Sequence, residues 1–443
     1  MIRSLVLVGA ALLLTAAPAG AATIHVPADY PTIQGAINAT SPGDEIIVAP
    51  GTYGPITVSS HRIIRSSGGR EVTFIDGQGV SRCALLSGNP GAELIGFTLQ
   101  NGLAETSQGG GGILIYRGTA RECTISACSG GLSSSGGGAA LLESMALLSN
   151  CVISDCSAVY GGGAYLGGGL IEHTQITGCL ASNRGGGVVN YGGVLTDCTI
   201  SECQAPGGEG GGVFIQGSAP SLQRCNISSN SARYGGGCNA WGGTLVDCLI
   251  AGNHASDFGA GVYNLVAVSS LYVLGCTIRD NTAGILGGGI VLAAAGEPSM
   301  FLSLSDTLIC ANTPGNLLGP YIDNGGNTIS ASCVTELIGA CCINGGCLVL
   351  SQGECDSVGG VFLGEGAACG SVSCDLGACC VGDQCLMLDL DACFSAGGSF
   401  AGIGIPCRST TCEAICLSDL TFDGLVNFDD LLQMLADWGP CPP

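Results

Sequence analysis

The sequence predicts an all-β fold, a right-handed parallel β-helix followed by two small disulfide-rich modules and a short loop-helix tail. Three observations support this prediction: a glycine cluster recurs about every 25 residues, an isoleucine motif recurs between the clusters, and the composition is rich in Gly (77) and poor in charged residues (10%). Eight glycine clusters, together with turns built from residues 44–100, predict about ten stacked coils.

The N-terminus is typical of an export signal. Arg3 precedes the apolar run 5–14, and small residues follow, so we expect cleavage after Ala21 or Ala22 and exclude residues 1–22 from the fold. No later segment reaches the ~18 uninterrupted apolar residues of a transmembrane helix. We therefore expect a secreted protein, either extracellular or at the cell surface, with no transmembrane segment.

Residues 23–333 form the predicted solenoid, beginning with a cap. Ile33, Ala36 and Ile37 have helical spacing, and an amphipathic helix here would cover the open end of the stack. Residues 44–53 are predicted to form the first strand and turn.

The glycine clusters mark the repeat, and an apolar strand follows each of them. Glycine suits such corners because it adopts positive φ and allows backbones to approach closely. The last glycines of successive clusters are 24 to 28 residues apart: Gly112, Gly138, Gly163, Gly187, Gly212, Gly237, Gly261 and Gly289.

A second motif places Ile three residues before Cys or Asn in every coil. Stacked coils would align the isoleucines in an interior ladder and let the Asn amides form hydrogen bonds along the stack. The pairs are Ile125 with Cys128, Ile153 with Cys156, Ile176 with Cys179, Ile200 with Cys203, Ile227 with Asn230, Ile250 with Asn253, Ile278 with Asn281 and Ile309 with Asn312.

The solenoid contains fourteen cysteines, from Cys83 to Cys333. Copies on neighbouring coils lie within disulfide range, but their parallel Cβ vectors are poorly aimed for a bond. Disulfides between coils and ladders of buried thiols are both compatible with the sequence.

Residues 23–53 resemble the N-terminal cap of the pectin-lyase-like β-helix superfamily, which includes pectinesterases. Residues 101–312 are similar to the repeats of polymorphic outer-membrane proteins and bacterial β-helix repeat proteins. These resemblances imply the fold. No segment matches a pectinesterase or pectate-lyase motif, so they imply no catalytic residues.

On six successive coils, a polar residue stands three positions before the repeated isoleucine. Stacking would align these six residues in a column. Asp197, Arg224 and Asp247 would occupy three neighbouring coils, an arrangement that could serve as an acid–base pair for glycan cleavage. The alternative, which the sequence favours, is a solvated column whose charges neutralise one another. The column comprises Glu122, Asn150, His173, Asp197, Arg224 and Asp247.

Aromatic residues follow the glycine clusters at the second or fourth position on five successive coils. Second and fourth positions share one face of a strand, so we expect a strip of rings on one outer sheet. Such rings can bind sugar faces or a partner protein, and the alternative is that they cover the sheet and pack on each other. They are Tyr165, Tyr191, Phe214, Trp241 and Tyr263.

Two cysteine-rich modules follow, at 334–374 and 375–412. Both have the spacing Cys-Cys-x4-Cys-x7-Cys-x13-Cys-x4-Cys. Six cysteines in so short a segment indicate three disulfides per module, with connectivity left open. We expect spacers or adhesion modules.

The tail, 413–443, contains a twelve-residue segment with the donor spacing of a Ca²⁺ loop, and Gly424 stands at the sixth position, where the turn is sharp. The segment and the helical pattern after it resemble one half of a dockerin, which implies a cohesin-like or other surface partner. Cys416 and Cys441 flank the unit and are expected to form a disulfide. The predicted ligands are Asp419, Thr421, Asp423, Leu425 (through its carbonyl), Asn427 and Asp430.

The formal net charge of −22 argues against nucleic acid as a partner, because there is no basic patch to neutralise phosphates. The sequence thus favours an exported binding or structural protein over an enzyme, displayed through a Ca²⁺-dependent tail, with a polysaccharide or a surface protein as ligand. The alternative is a polysaccharide lyase or glycoside hydrolase acting on an acidic polysaccharide.

Overall fold

The computed structural model describes residues 21–403, together with Ile405 and Cys407. The predicted export signal, the predicted Ca²⁺ loop and the predicted Cys416–Cys441 disulfide therefore lie outside the described residues, apart from Ala21 and Ala22. The chain divides into two compact units, with the boundary after Cys333. Short gaps in the described range fall at 90, 105–106, 132–134, 218, 267–268, 295–300, 334–337, 344–345, 352–354, 356–357, 359, 366–368, 370–373, 375–376 and 382–383.

The first unit is a solenoid of parallel strands that begins with the expected cap. Helix α1 spans Ile33–Ala39, and the Thr32 hydroxyl accepts a hydrogen bond from the Gly35 amide at its start. Ile33, Ala36 and Ile37 are buried against the first coil, as their spacing predicts.

Each coil contributes one short strand to each of three long parallel sheets, here named A, B and C. Sheet A consists of Thr23–Val26, Glu45–Val48, Ile63–Ser66, Ala92–Ile95, Gly118–Arg121, Ala146–Ser149, Leu170–Glu172, Val194–Thr196, Ser221–Gln223, Gly243–Val246, Leu271–Leu274, Leu302–Ser305 and Ile322–Asp323. Sheet B consists of Gly51–Tyr53, Thr73–Asp76, Thr98–Gln100, Thr124–Ser126, Val152–Ser154, Gln175–Thr177, Thr199–Ser201, Asn226–Ser228, Leu249–Ala251, Thr277–Arg279, Leu308–Cys310 and Thr328–Ser330.

Eight strands of sheet C come directly after the eight glycine clusters in the sequence. The sheet has eleven strands, about one more than the predicted number of coils. It consists of Ile56–Val58, Ala84–Leu86, Ile113–Ile115, Ala139–Leu141, Ala164–Leu166, Val188–Asn190, Val213–Gln216, Cys238–Trp241, Val262–Val266, Ile290–Ala294 and Leu317–Leu318.

A fourth sheet, D, was not predicted. It lies between sheets B and C along the chain, and its neighbouring strands pair with register shifts. Such irregular segments lack the alternation by which strands are predicted. Its strands are Ser157–Tyr160, Leu180–Arg184, Gln204–Glu209, Ser231–Tyr234, His254–Phe258 and Thr282–Ala283.

The interior contains the predicted ladders. The repeated isoleucines pair in register on sheet B, for example Ile200 with Ile227, and both are fully buried. Burial of each such side chain contributes about 1.5–3 kcal/mol. Beside them, the Asn253 side-chain carbonyl accepts from the Asn230 backbone amide at 2.9 Å, and its amide donates to Asn281 Oδ1 at 2.9 Å. The amide ladder is thus confirmed.

The structure resolves the choice for the solenoid cysteines. Twelve are buried free thiols, and Cys310 forms a disulfide with Cys333. Most of the thiols donate to backbone carbonyls; the Cys203 thiol, for example, lies 3.2 Å from the Ser201 carbonyl oxygen. Burial raises the pKa of the Cys238 thiol, which keeps it protonated and unreactive.

The second unit contains the two disulfide-rich modules, each with a three-stranded antiparallel sheet. The first module has strands Ile338–Ile343, Gly346–Ser351 and Val361–Glu365, with disulfides Cys341–Cys355, Cys342–Cys374 and Cys347–Cys369. The second has strands Gly377–Val381, Gln384–Leu388 and Ser399–Ile403, helix α2 (Leu390–Ser395), and the equivalent disulfides Cys379–Cys393 and Cys385–Cys407.

Within the described part of the chain, neither helix is long and apolar enough to cross a membrane.

Candidate functional site

The outer face of sheet C places aromatic residues of alternate coils in line. Tyr165, Val189, Phe214, Asn239 and Tyr263 pair in register at the second position of their strands. The side chains before and after them in each strand are buried in the interior of the solenoid, so this row points away from the interior.

Four of the five predicted aromatic residues form a continuous chain of ring contacts. The ring centroids of Tyr165 and Tyr191 are 5.6 Å apart, those of Tyr191 and Phe214 are 6.3 Å apart, and those of Phe214 and Trp241 are 5.3 Å apart. Such separations and tilted orientations stabilise aromatic pairs by about 0.5–1.5 kcal/mol each. Packing among the rings, the alternative weighed above, therefore contributes to their arrangement.

Tyr263, the fifth predicted residue, contacts a different group of rings. Its ring lies 5.3 Å from that of Tyr234, which stacks on Phe258 at 5.9 Å. Tyr234 and Phe258 end strands of sheet D, so this sheet extends the row of rings. We call the complete set the aromatic strip: Tyr165, Tyr191, Phe214, Trp241, Tyr234, Phe258 and Tyr263.

Phe214 is fully buried, whereas the other six rings are half-buried and reach the surface. Burial raises the pKa of Tyr165 and of Tyr263 above the ordinary tyrosine value. Their hydroxyl groups therefore stay protonated near neutral pH and can donate hydrogen bonds.

An arginine from sheet D lies across the strip. The Arg184 guanidinium carbon is 4.8 Å from the centroid of Phe214 and 4.5 Å from that of Trp241. Arg184 Nε is also 3.0 Å from Glu209 Oε2, and both side chains are about three-quarters buried, with exposures of 25% and 24%. Stacking and pairing together fix the guanidinium over the rings.

Several buried polar atoms at this place have no hydrogen-bond partner among the described residues. Asn239 is fully buried between Phe214 and Tyr263 in the row, and neither its amide nitrogen nor its amide oxygen is paired. Trp241 Nε1 is also unpaired, and the Arg184–Glu209 contact is not aligned as a hydrogen bond. Because buried polar groups are normally satisfied, this concentration indicates a place where water or a ligand supplies the partners.

The polar column lies elsewhere, at the corner between sheets A and B. Its six residues all have positive φ, between +47° and +56°. Asn and Asp tolerate this conformation better than most residues, so the column partly reflects a requirement of the backbone.

Asp197 and Arg224 form the predicted pair on adjacent coils. Arg224 Nε donates to Asp197 Oδ1 and Arg224 Nη2 to Oδ2, each at 2.8 Å. The guanidinium of Arg224 lowers the pKa of Asp197 to about 2. The Asp197 carboxylate in turn raises the pKa of Arg224, and the negative charge of Asp247 raises it further. A carboxylate so strongly paired is a poor proton acceptor near neutral pH, so the geometry favours a structural ion pair.

A polar cleft of about 690 Å³ adjoins the same column on earlier coils. It ends at His173, one coil before Asp197. Its polar lining consists of Arg70, Glu71, Glu122, Asn150, His173 and Gln175. In the residues that the structure describes, no three His, Cys, Asp or Glu side chains are grouped to hold a metal ion.

Comparison with known proteins agrees with this architecture. Residues 82–247 match the family described as right handed beta helix region. The first unit is a right-handed parallel β-helix. No curated protein sequence matches the chain.

The β-helix has counterparts among solved structures. A pectate lyase shares 10% identity over 68% of this chain and 76% of its own, with a TM-score of 0.38. A PL6 family alginate lyase shares 13% over 75% of this chain and 56% of its own, with a TM-score of 0.46. A pectin methylesterase from Aspergillus niger shares 13% over 72% of this chain and 91% of its own, with a TM-score of 0.31. At these identities the likeness concerns the fold.

The part of the aromatic strip that lies on sheet D, and the charged residues beside it, were not predicted from the sequence. Arg184, Glu209, Tyr234 and Phe258 each stand directly before a glycine cluster, and sheet D pairs them in one row. Counting backward from each cluster, as well as forward, would have found this row.

Proposed function

We propose that this protein is an exported binding protein whose β-helix holds a glycan along the aromatic strip. The observation that carries the proposal is the set of six half-buried rings that reach the surface, with the partly exposed side chains of Arg184 and Glu209 beside them. Aromatic faces bind the apolar faces of sugars, and polar atoms beside them bind hydroxyl groups. The strip combines both kinds of contact.

The strip suits an extended polymer. Its sheet C rings come from successive coils, which repeat about every 4.8 Å along the β-helix, and rings at the second and fourth positions alternate from coil to coil. The rings stand on strands paired on both sides, and a rigid framework lowers the entropic cost of binding.

Replacing Trp241 with alanine tests the proposal. The change removes a half-buried ring and one of the two surfaces that hold Arg184, so we expect at least a ~10-fold loss of affinity for any polysaccharide that the native protein binds. Affinity electrophoresis through gels containing single polysaccharides measures it.

Tyr272→Ala is the matched control, because Tyr272 is an aromatic residue on sheet A with 42% exposure that lies outside the strip. Binding at the strip is contradicted if Trp241→Ala and Tyr272→Ala lose the retardation equally, or if neither variant loses it.

The proposed mode of display rests on the tail, whose residues lie outside the described range. Its twelve-residue loop supplies oxygen ligands for Ca²⁺, and the resemblance to half a dockerin favours a cohesin-like or other surface partner. The disulfides of the described modules are typical of an oxidising compartment outside the cytoplasm, which supports export.

Calcium calorimetry on the intact protein tests the tail. We expect one site whose heat of binding disappears in Asp423→Ala, because this change removes a carboxylate ligand from the loop. The control is Asp437→Ala, a carboxylate in the same tail but outside the loop, which should bind Ca²⁺ as the native protein does. A native chain that binds no Ca²⁺, or an Asp423→Ala variant that binds it unchanged, contradicts this part of the proposal.

The second candidate function is cleavage of an acidic polysaccharide, by a lyase or hydrolase mechanism. The observation that favours it is the cleft with Glu122, His173 and Arg70, which brings acid, imidazole and guanidinium groups to one corner of the β-helix. Asp197, Arg224 and Asp247 continue the same column.

A further inference from the structure

We infer that the aromatic strip selects neutral sugars over sugars that carry carboxylates. The inference rests on the proposed function and names the class of glycan. It depends on three features: the pairing of the cations at the strip, the charge of the whole chain, and the mixture of donors and acceptors beside the rings.

Both arginines that stack on the strip are already paired with acids. Arg184 pairs with Glu209, as described above. Arg233, whose guanidinium carbon is 4.9 Å from the centroid of Tyr234, places its Nε 2.8 Å from Asp257 Oδ2. The carboxylate of a uronic acid binds best to a guanidinium that can offer it two N–H groups. Here it would have to compete with a neighbouring carboxylate at each arginine.

The charge of the chain acts in the same direction. Thirty-four acidic residues face twelve basic ones, and the resulting net charge of −22 creates a field that repels polyanions at low ionic strength. Because salt screens this field, the disadvantage of an acidic glycan should decrease as salt is added.

The polar groups at the strip match hydroxyl groups, which both donate and accept. Arg184 and Glu209 each keep about a quarter of the side chain exposed while Nε and Oε2 are buried, so their outer atoms present a donor beside an acceptor. The buried amide of Asn239 adds one donor and one acceptor that have no partner among the described residues. A carboxylate only accepts, so it cannot donate to Glu209 as a hydroxyl group can.

Two pairs of polymers that share a backbone test the inference: methyl-esterified and de-esterified homogalacturonan, and hydroxyethyl and carboxymethyl cellulose. By affinity electrophoresis at low salt, we expect the native protein to bind the neutral member of at least one pair at least ~10-fold more tightly. Trp241→Ala should lose that binding. Glu209→Gln keeps the shape of the side chain and removes its charge, so it should reduce the preference several-fold.

The outcomes separate the two proposals. The selectivity is overturned if Trp241-dependent binding is equal for both members of each pair, or tighter for the acidic member. Glycan binding at the strip still stands in that case. An unchanged preference in Glu209→Gln overturns the role of the Arg184–Glu209 pair. If no polymer in these pairs or in a broader panel shows Trp241-dependent binding, the proposed function itself fails.

Discussion

Replacing Gly211 with alanine is expected to destabilise the β-helix more than any other substitution considered for this chain, by at least about 3 kcal/mol. Gly211 is the middle glycine of its cluster, and a Cβ atom there would lie 2.4 Å from the carbonyl oxygens of both Gly236 and Ser231. These are backbone atoms of the next coil, which cannot move aside without breaking the parallel ladder. Urea unfolding followed by circular dichroism measures the loss.

Gly207→Ala is the control for this substitution. Gly207 lies four residues earlier in the same coil, and its added Cβ would meet no atom within 4 Å. We expect its free energy of unfolding to stay within about 1 kcal/mol of the native value. If the two variants unfold at the same urea concentration, close approach of the coils does not explain the glycine clusters.

Asn253→Ala should have the second largest effect, about 2–3 kcal/mol of unfolding free energy. The Asn253 side chain is buried and makes four hydrogen bonds: it accepts from the backbone and side-chain amides of Asn230, and donates to the Ile227 carbonyl and to Asn281 Oδ1. Alanine removes all four and leaves buried polar groups without partners. The same unfolding measurement applies.

Asn253→Cys provides an internal comparison, because the equivalent position is Cys203 two coils earlier. The Cys203 thiol points to the Ile176 carbonyl, as the Asn253 amide points to that of Ile227. We expect cysteine to recover part of the stability that alanine loses. Equal loss in both variants would show that hydrogen bonding along this column contributes little.

The fold could be predicted because the same position recurs in every coil. A residue such as Ile200 or Asn253 stacks on its own copy, so the repeat in the sequence is also the contact pattern in space. The strands of sheet D could not be predicted in this way, since their register shifts and they lack apolar alternation; only the residue directly before each glycine cluster recurs at a fixed position.

The site was predictable in part for the same reason. Counting from the glycines aligned Tyr165 with Phe214, and the ion pair of Asp197 with Arg224 followed from adjacent coils. The positive φ values at the corner between sheets A and B could not be predicted from residue types. These values show that the backbone, as well as any chemistry, determines which polar residues form the column. Asn239 gave no signal at all, because a buried polar residue without a partner is recognised only in three dimensions.

The central claim is that the β-helix binds a glycan at the aromatic strip rather than cleaving one at the polar column. The most direct measurement incubates the native protein, Trp241→Ala and Asp197→Ala with neutral and acidic polysaccharides, and records both retention and the release of reducing or unsaturated ends. We expect retention that Trp241→Ala loses and Asp197→Ala keeps, with no ends released by any of the three. Release of ends by the native protein that Asp197→Ala abolishes would contradict the central claim.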